Sequence, residues 1–174
     1  MAGFIVFGAG SLALVVLSRS SLRAPRSHGF WRFLVLECIL GLVVLNAQEW
    51  FRSPFCSRQL VSWILLLSSL ILAIHGFYIL RRLGEPKGSI ENTTRVVRRG
   101  AYKYIRHPLY STFLLGAWGV FLKEISLIGG LLAVLATGFA VATAKVEEAE
   151  NLQRFGGEYA AYMEATRMFI PFVF

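Results

Sequence analysis

Long apolar runs are the feature that most constrains how this chain of 174 residues folds. Hydrophobic residues make up 56% of the chain and charged residues only 16%, which is far from the balance of a soluble domain. A helix needs about 20 mostly apolar residues to cross a bilayer. The runs predict five spans, at residues 2–18, 30–51, 60–80, 108–122 and 125–144. We therefore expect an all-α, polytopic transmembrane helical bundle with a cytoplasmic C-terminal helical segment.

The first and the fourth apolar runs need separate interpretation. The first run follows Met-Ala-Gly-Phe, which contains no Lys or Arg, and basic residues come only after the run. This order differs from that of a secretory signal, so we interpret residues 2–18 as a retained span. The fourth run is short for a full crossing, so it either stands with little tilt or forms a hairpin with the fifth. By length, residues 1–174 form one domain, with three spans in residues 1–80.

The basic residues predict the orientation of the bundle. The net charge of +8 is compatible with nucleic-acid binding, but the basic residues fall in alternate loops, which is typical of a membrane protein. Of the 18 Lys and Arg residues, only Arg52, Arg58 and Lys123 lie in the loop after the second span or the turn after the fourth. By the positive-inside rule, the 81–107 loop and the C-terminal tail face the cytoplasm and the N-terminus lies outside.

A polar motif, Gly-Ala-Tyr-Lys-Tyr-Ile-Arg-His-Pro-Leu-Tyr at residues 100–110, stands where the fourth span begins. Proline is tolerated best at the first position of a helix, so we expect the helix to start at Pro108. The unpaired amides of its first turn, beside Arg106 and His107, would form an anion-binding corner. The alternative is an ordinary membrane-helix start with basic flanks.

A second polar concentration follows the fifth span, which we expect to continue as a helix beyond Lys145. Glu148, Leu152 and Phe155 would then share one face, whereas Glu147 can turn away. A carboxylate on a buried stripe needs a cation or hydroxyl donors as partners.

Gly156-Gly157 should end that helix, and a short helix at residues 158–166 should follow it. This short helix would carry Tyr159 and Tyr162 on one side. Cys38 lies within the second span and Cys56 in the loop that follows it, so we do not expect a disulfide between them. No Cys or His spacing resembles a metal site.

Together these residues resemble the isoprenylcysteine carboxyl methyltransferase and phospholipid methyltransferase superfamily. The resemblance covers residues 76–174 and is carried by Arg106-His107-Pro108-Leu109-Tyr110, Glu147-Glu148, Phe155-Gly156, Tyr159, Tyr162 and Ile170-Pro171. It implies that residues 81–174 hold a catalytic region that binds S-adenosylmethionine at a cytoplasmic site. The methyl acceptor would be a lipid or lipidated molecule, with no nucleic acid or metal involved. Thr112 stands where family members often have Gly or Ala.

The chemistry of these side chains suits that cofactor. Arg106 or His107 would bind the cofactor's carboxylate, and Glu148, favoured over Glu147 by its stripe position, would accept from ribose hydroxyls or offset the positive charges. Aromatic faces from Tyr104, Tyr110 or Tyr159 would flank the adenine or the sulfonium.

Arg167 is the candidate catalytic residue, because family members often carry a basic residue shortly before the closing Ile-Pro. Its planar guanidinium would pair with a carboxylate or phosphate of the acceptor and orient the nucleophile. The alternative is that Arg167 only extends to lipid headgroups.

Two other function classes stay open from the sequence. Sterol reductases carry a related Arg-x-Pro-Asn-Tyr signature and bind a nicotinamide cofactor, but this chain has Leu109 in place of that Asn. The second class is a non-catalytic membrane scaffold. Among acceptors, a prenylcysteine carboxylate, a phosphatidylethanolamine amine and a small thiol or other lipophile all remain possible.

Overall fold

The computed structural model describes residues 1–86 and 93–173, and within these ranges the regular elements are helical. Residues 87–92, in the middle of the predicted cytoplasmic loop, lie outside the described residues. The helices are α1 (Ala2–Leu17), α2 (Arg19–Leu22), α3 (His28–Leu45), α4 (Ser57–Leu83), α5 (Pro108–Phe121), α6 (Leu127–Phe155) and α7 (Gly157–Ala165), with a 3-10 turn at Gly100–Lys103. The predicted helical bundle is confirmed.

Three helices, α3, α4 and α6, are long and apolar enough to cross a membrane, and α1 and α5 are shorter apolar helices. Helix α5 is short, as expected from the fourth run, and a tight turn joins it to α6, against which it packs. The two cysteines are free, as predicted.

The second predicted span, 30–51, was wrong at its C-terminal end, because α3 stops at Leu45. The next residue, Asn46, is buried, and its side-chain amide donates a hydrogen bond to the Val120 carbonyl at 3.1 Å. This bond holds the chain against the end of α5. Residues 46–51, which the prediction included in the span, form turns and bends instead of helix.

The expected continuation of the fifth span is confirmed. Helix α6 begins after Ser126, whose hydroxyl accepts from the Gly129 N–H at 3.1 Å, and runs to Phe155. Gly156 then adopts φ +57°, a conformation that favours glycine, and the chain turns directly into α7.

Two helix pairs build the bundle. Helices α3 and α6 enclose an apolar core that includes Val35, Leu42, Ala136 and Ala140. Helices α4 and α5 pack closely at Gly119, where a Cβ would lie only 2.9 Å from the Leu66 side chain. Small residues at such contacts let membrane helices approach each other.

The end of the bundle near the α5–α6 turn holds a fully buried lysine. The Lys123 ammonium donates to the Gln59 side-chain oxygen at 3.0 Å and lies 3.6 Å from the centre of the Trp63 ring. The centre of the Trp50 ring lies 5.4 Å from the same ammonium. Burial lowers the pKa of Lys123, and these partners compensate the loss of water.

Candidate active site

A cavity of about 960 Å³ lies at the other end of the bundle. The start of α3, the end of α4, the start of α5, the end of α6 and helix α7 all contribute to its wall. Helix α4 supplies an apolar side that includes Ala73, Ile74 and Phe77, whereas α5, α6 and α7 supply polar groups. Ile74 and Phe77 are 63% and 45% exposed, so the cavity is open on its α4 side.

Helix α5 begins at Pro108, as predicted. The N–H groups of Tyr110 and Ser111 donate to the His107 carbonyl at 3.1 and 2.9 Å. These two amides are therefore engaged within the protein, and the start of α5 offers fewer donors to an anion than the sequence suggested.

The 3-10 turn ahead of α5 is tied to α4. Gly100 has φ +58°, and a Cβ there would lie 2.4 Å from His75 Nε2. The next amide, that of Ala101, donates to the same nitrogen at 3.4 Å. The His75 side chain thus packs against the 3-10 turn and positions the segment that leads to Arg106.

Arg106 is almost buried, and its guanidinium contacts three acceptors. Nε donates to Glu148 Oε1 at 2.6 Å, and Nη1 donates to the carbonyls of Met163 and Thr166 at 3.1 and 2.6 Å. Its side chain is only 11% exposed. Arg106 therefore connects the entry to α5 with the end of α6 and the end of α7.

The main chain beside Arg106 pairs with the C-terminal segment. The Arg106 N–H donates to the Arg167 carbonyl at 2.7 Å, and the Arg167 N–H donates to the Tyr104 carbonyl at 3.0 Å. The His107 N–H donates to the Met168 carbonyl at 3.1 Å. The two segments form a short parallel bridge, so the closing Ile-Pro region lies against the start of α5.

The paired glutamates have different surroundings. Glu148 is buried, as predicted, although Leu152 of the same predicted stripe is 39% exposed. Oε1 of Glu148 contacts both Arg106 and His107 Nε2, the latter at 3.3 Å. Glu147 lines the cavity and accepts a hydrogen bond from the Tyr110 hydroxyl. Its Oε2 also lies 4.0 Å from His107 Nδ1. The carboxylate on the cavity wall is thus Glu147, whereas Glu148 lies behind it.

Aromatic side chains line the cavity on the α5 and α7 sides. The rings of Tyr110 and His107 stack with centres 5.4 Å apart, and Tyr159 lies 5.7 Å from Tyr162. Burial is the main cause that raises the pKa of both Tyr159 and Tyr162. These hydroxyls therefore keep their protons at neutral pH, and that of Tyr162 donates to the Tyr102 carbonyl at 2.7 Å.

The structure brings most of the sequence-predicted residues to this cavity. The predicted residues that line it are Arg106, His107, Leu109, Tyr110, Glu147 and Tyr159. Pro108 and Glu148 are buried next to it, whereas Tyr104 is 46% exposed and packs on Phe172. The Arg167 side chain is exposed and is not among the residues that line the cavity. The roles assigned to these residues stay predictions.

Other cavity residues were not anticipated from the sequence. Arg32 reaches the cavity from α3, and α4 contributes one side of it, although no residue of either helix was among the predicted site residues. The available signal was weak: Arg32 stands within the second predicted span, where a cation is costly unless it faces a polar region. Thr112 also lines the cavity, and its hydroxyl donates to the Leu109 carbonyl at 2.6 Å.

The region that matches known proteins includes most of the residues that line this cavity. The family model described as phospholipid methyltransferase matches residues 57–157. The chain is 29% identical over 143 residues to protein-S-isoprenylcysteine O-methyltransferase B of Arabidopsis thaliana, a match that covers 80% of this chain and 70% of that protein.

Two bacterial relatives match over a shorter region. Methanethiol S-methyltransferase of a Pseudomonas strain is 31% identical over 70 residues, and methanethiol S-methyltransferase 1 of Bradyrhizobium diazoefficiens is 32% identical over 71 residues. Each match covers 40% of this chain, but only 26% and 24% of the two relatives. The chain thus matches about a quarter of the length of either bacterial enzyme.

Proposed function

Because this chain belongs to the phospholipid methyltransferase family, we propose that it is an integral membrane methyltransferase that transfers a methyl group from S-adenosylmethionine to a lipophilic acceptor. The observation that carries the proposal is that the Tyr110–Glu147 pair and the apolar side of α4 line one and the same cavity. Such a cavity offers polar contacts to a charged cofactor and apolar contacts to a lipid chain. We also propose, from the distribution of basic residues, that the cavity opens to the cytoplasm.

The residues on the cavity wall suit S-adenosylmethionine. When bound, this cofactor supplies a methyl group on a positively charged sulfur. Glu147 would accept from its hydroxyl or amino groups and offset its positive charge. The faces of Tyr110 and Tyr159 would contact its cationic or aromatic parts. Arg81 and Arg82, which also line the cavity, would attract its carboxylate.

The size of the cavity and its exposed apolar α4 side support a second ligand beside the cofactor. Its volume of about 960 Å³ is near the upper end of the usual range for small-molecule sites. Ile74 and Phe77 line the cavity and are exposed on α4, a helix long and apolar enough to cross a membrane, so an apolar acceptor chain would contact this side of the site. Catalysis would then depend mainly on holding the nucleophile in line with the methyl group.

Arg167 remains our candidate for orienting an anionic acceptor. Its main chain is fixed against Tyr104 and Arg106, just before the start of α5, and its side chain is exposed. A prenylcysteine carboxylate and a phospholipid phosphate both match a guanidinium fork.

Cofactor binding tests the proposal against the other two function classes. Protein purified in lipid nanodiscs would be titrated by calorimetry with S-adenosylmethionine and, separately, with NADPH. We expect saturable binding of S-adenosylmethionine alone. Binding of NADPH alone would favour the reductase, and binding of neither would favour the scaffold.

Acceptor class needs a second experiment. The same nanodiscs would receive methyl-labelled cofactor together with a prenylcysteine, phosphatidylethanolamine or methanethiol. We expect label in one of the two lipophilic acceptors. Label in methanethiol alone would contradict the proposed role of the apolar α4 wall.

A further inference from the structure

We propose that Arg106 is a positioning residue that fastens helix α7 and residues 166–169 over the cavity, and that it does not serve mainly as a ligand of the cofactor's carboxylate. The structural part of this proposal is independent of the proposed function. Its effect on S-adenosylmethionine binding rests on that function.

The contacts of Arg106 carry the inference. A guanidinium in a fixed planar fork can donate in several directions at once. Here it donates to Glu148 in α6 and to the carbonyls of Met163 and Thr166 at the end of α7. The last carbonyls of a helix lack partners within the helix, and a cation near them is stabilising. Arg106 thus supplies a C-terminal cap for α7 from a different part of the chain.

Helix α7 depends on contacts of this kind for its position. Among the described helices it packs mainly against α6, and the 98–107 segment adds hydrogen bonds and a contact of the Arg98 guanidinium with the Tyr162 ring, 5.7 Å apart. At its N-terminal end, Arg98 donates to the Glu158 carbonyl at 2.8 Å, but this bond is exposed. At its C-terminal end, the Arg106 bonds are partly buried and adjoin the main-chain bridge to Arg167.

The position of α7 matters because α7 carries Tyr159 and Tyr162 into the cavity wall. If Arg106 no longer holds the end of α7, part of the population has this wall displaced. We call the wall closed when α7 is in the position that the structure shows. For a ligand that needs the closed wall, the apparent Kd equals the intrinsic Kd divided by the fraction of protein in the closed state. Saturating ligand restores the closed state, so the maximal rate recovers while the apparent affinity does not.

Arg106→Lys is the informative variant because lysine keeps the charge. Its compact ammonium cannot reach Glu148 and both carbonyls from one place with a planar fork. Glu148→Gln is a second variant, which keeps the side-chain size and weakens the charge pairing that holds Arg106. Arg99→Lys is the matched control, since Arg99 is exposed on the same segment.

Hydrogen–deuterium exchange in nanodiscs, without cofactor, tests the positioning role directly. We expect peptides from residues 157–170 to exchange at least about tenfold faster in Arg106→Lys, and to a smaller extent in Glu148→Gln. Peptides from α3 and α4 should exchange as in the parent, and Arg99→Lys should match the parent throughout. Parental exchange of residues 157–170 in Arg106→Lys would overturn the proposal.

Kinetics with S-adenosylmethionine give a second readout. We expect KM for the cofactor to rise about tenfold in Arg106→Lys, with kcat near that of the parent and with exchange protection regained at saturating cofactor. A fall in kcat at unchanged KM would contradict the positioning role. If the parent protein itself binds no S-adenosylmethionine, the proposed function fails, and the exchange measured without cofactor still decides the role of Arg106.

Discussion

The Tyr110 hydroxyl in α5 donates a hydrogen bond to the Glu147 carboxylate in α6, and this bond joins the two sequence motifs on the wall of the cavity. Behind it, the Tyr110 ring stacks on His107, and His107 contacts Glu148, which in turn binds Arg106. The polar groups of both motifs thus form one connected network, whose outermost carboxylate is available to a ligand.

Glu147→Gln should weaken binding of S-adenosylmethionine by about 1–3 kcal/mol, because a charge-assisted contact is lost at the cavity wall. Thermal stability should stay near that of the parent, since the Glu147 side chain is partly exposed. Calorimetric titration measures the first effect and a melting curve the second. Glu164→Gln, at an exposed position in α7, is the control and should bind like the parent. Unchanged affinity in Glu147→Gln would contradict the role given to this carboxylate.

Glu148→Gln should instead lower stability together with affinity. The change leaves the buried Arg106 guanidinium without its counter-charge, although the amide oxygen can still accept one bond. We expect a loss of about 1–3 kcal/mol in the free energy of unfolding, and a cofactor affinity lowered by a similar amount. Comparing the melting temperatures of the two glutamine variants tests the division of roles. If Glu147→Gln proves the less stable protein, the division is wrong.

The sequence anticipated features that depend on short stretches of chain. Pro108 marked the start of α5, and Gly156 marked the end of α6, because each residue has restricted or permissive backbone geometry of its own. The burial of Glu148 followed from helical periodicity alone. These properties do not depend on which helices become neighbours.

Tertiary relationships could not be predicted in the same way. Periodicity placed Glu148 inward, but it did not show that Arg106 and His107 occupy its oxygen and leave Glu147 on the cavity wall. Nothing in the apolar pattern of α4 indicated that this helix forms a wall of the site. The parallel bridge between Ile105 and Arg167 joins residues 62 positions apart and lies outside any local rule.

Lys123→Met should destabilise the protein at the end of the bundle away from the cavity. Methionine fills the space but cannot donate to Gln59 or interact with Trp63 as a cation. The combined loss should be about 1–3 kcal/mol in the free energy of unfolding. Thermal unfolding in nanodiscs checks it, with Arg58→Met, a partly exposed cation at the same end, as control. A Lys123→Met protein as stable as the control would show that the contacts of the buried lysine make no net contribution to the free energy of unfolding.

The orientation of the bundle can be tested with cysteine labelling in sealed vesicles. In a Cys38→Ala background, the exposed native Cys56 and a cysteine introduced by Glu164→Cys should react with an impermeant maleimide from opposite sides. The physical reason is the concentration of basic residues in the loops on the α7 side. Each site is measured in a separate protein, with Cys56→Ser used for the Glu164→Cys measurement. Labelling of both sites from the same side would contradict the predicted topology.

Substitution of Arg167 tests its proposed role in orienting the acceptor. Because the side chain is exposed and lies off the cavity lining, it can meet an anionic acceptor at the membrane boundary without contacting the cofactor. Arg167→Lys and Arg167→Ala should therefore both lower turnover, by about tenfold or more if a bidentate pair is lost, with cofactor affinity nearly unchanged. Turnover is measured at saturating cofactor and acceptor and at matched protein levels. Since the main chain of residue 167 makes the bridge to Tyr104 and Arg106, side-chain variants leave that bridge in place. Equal turnover in the parent and both variants would reduce Arg167 to an interfacial anchor.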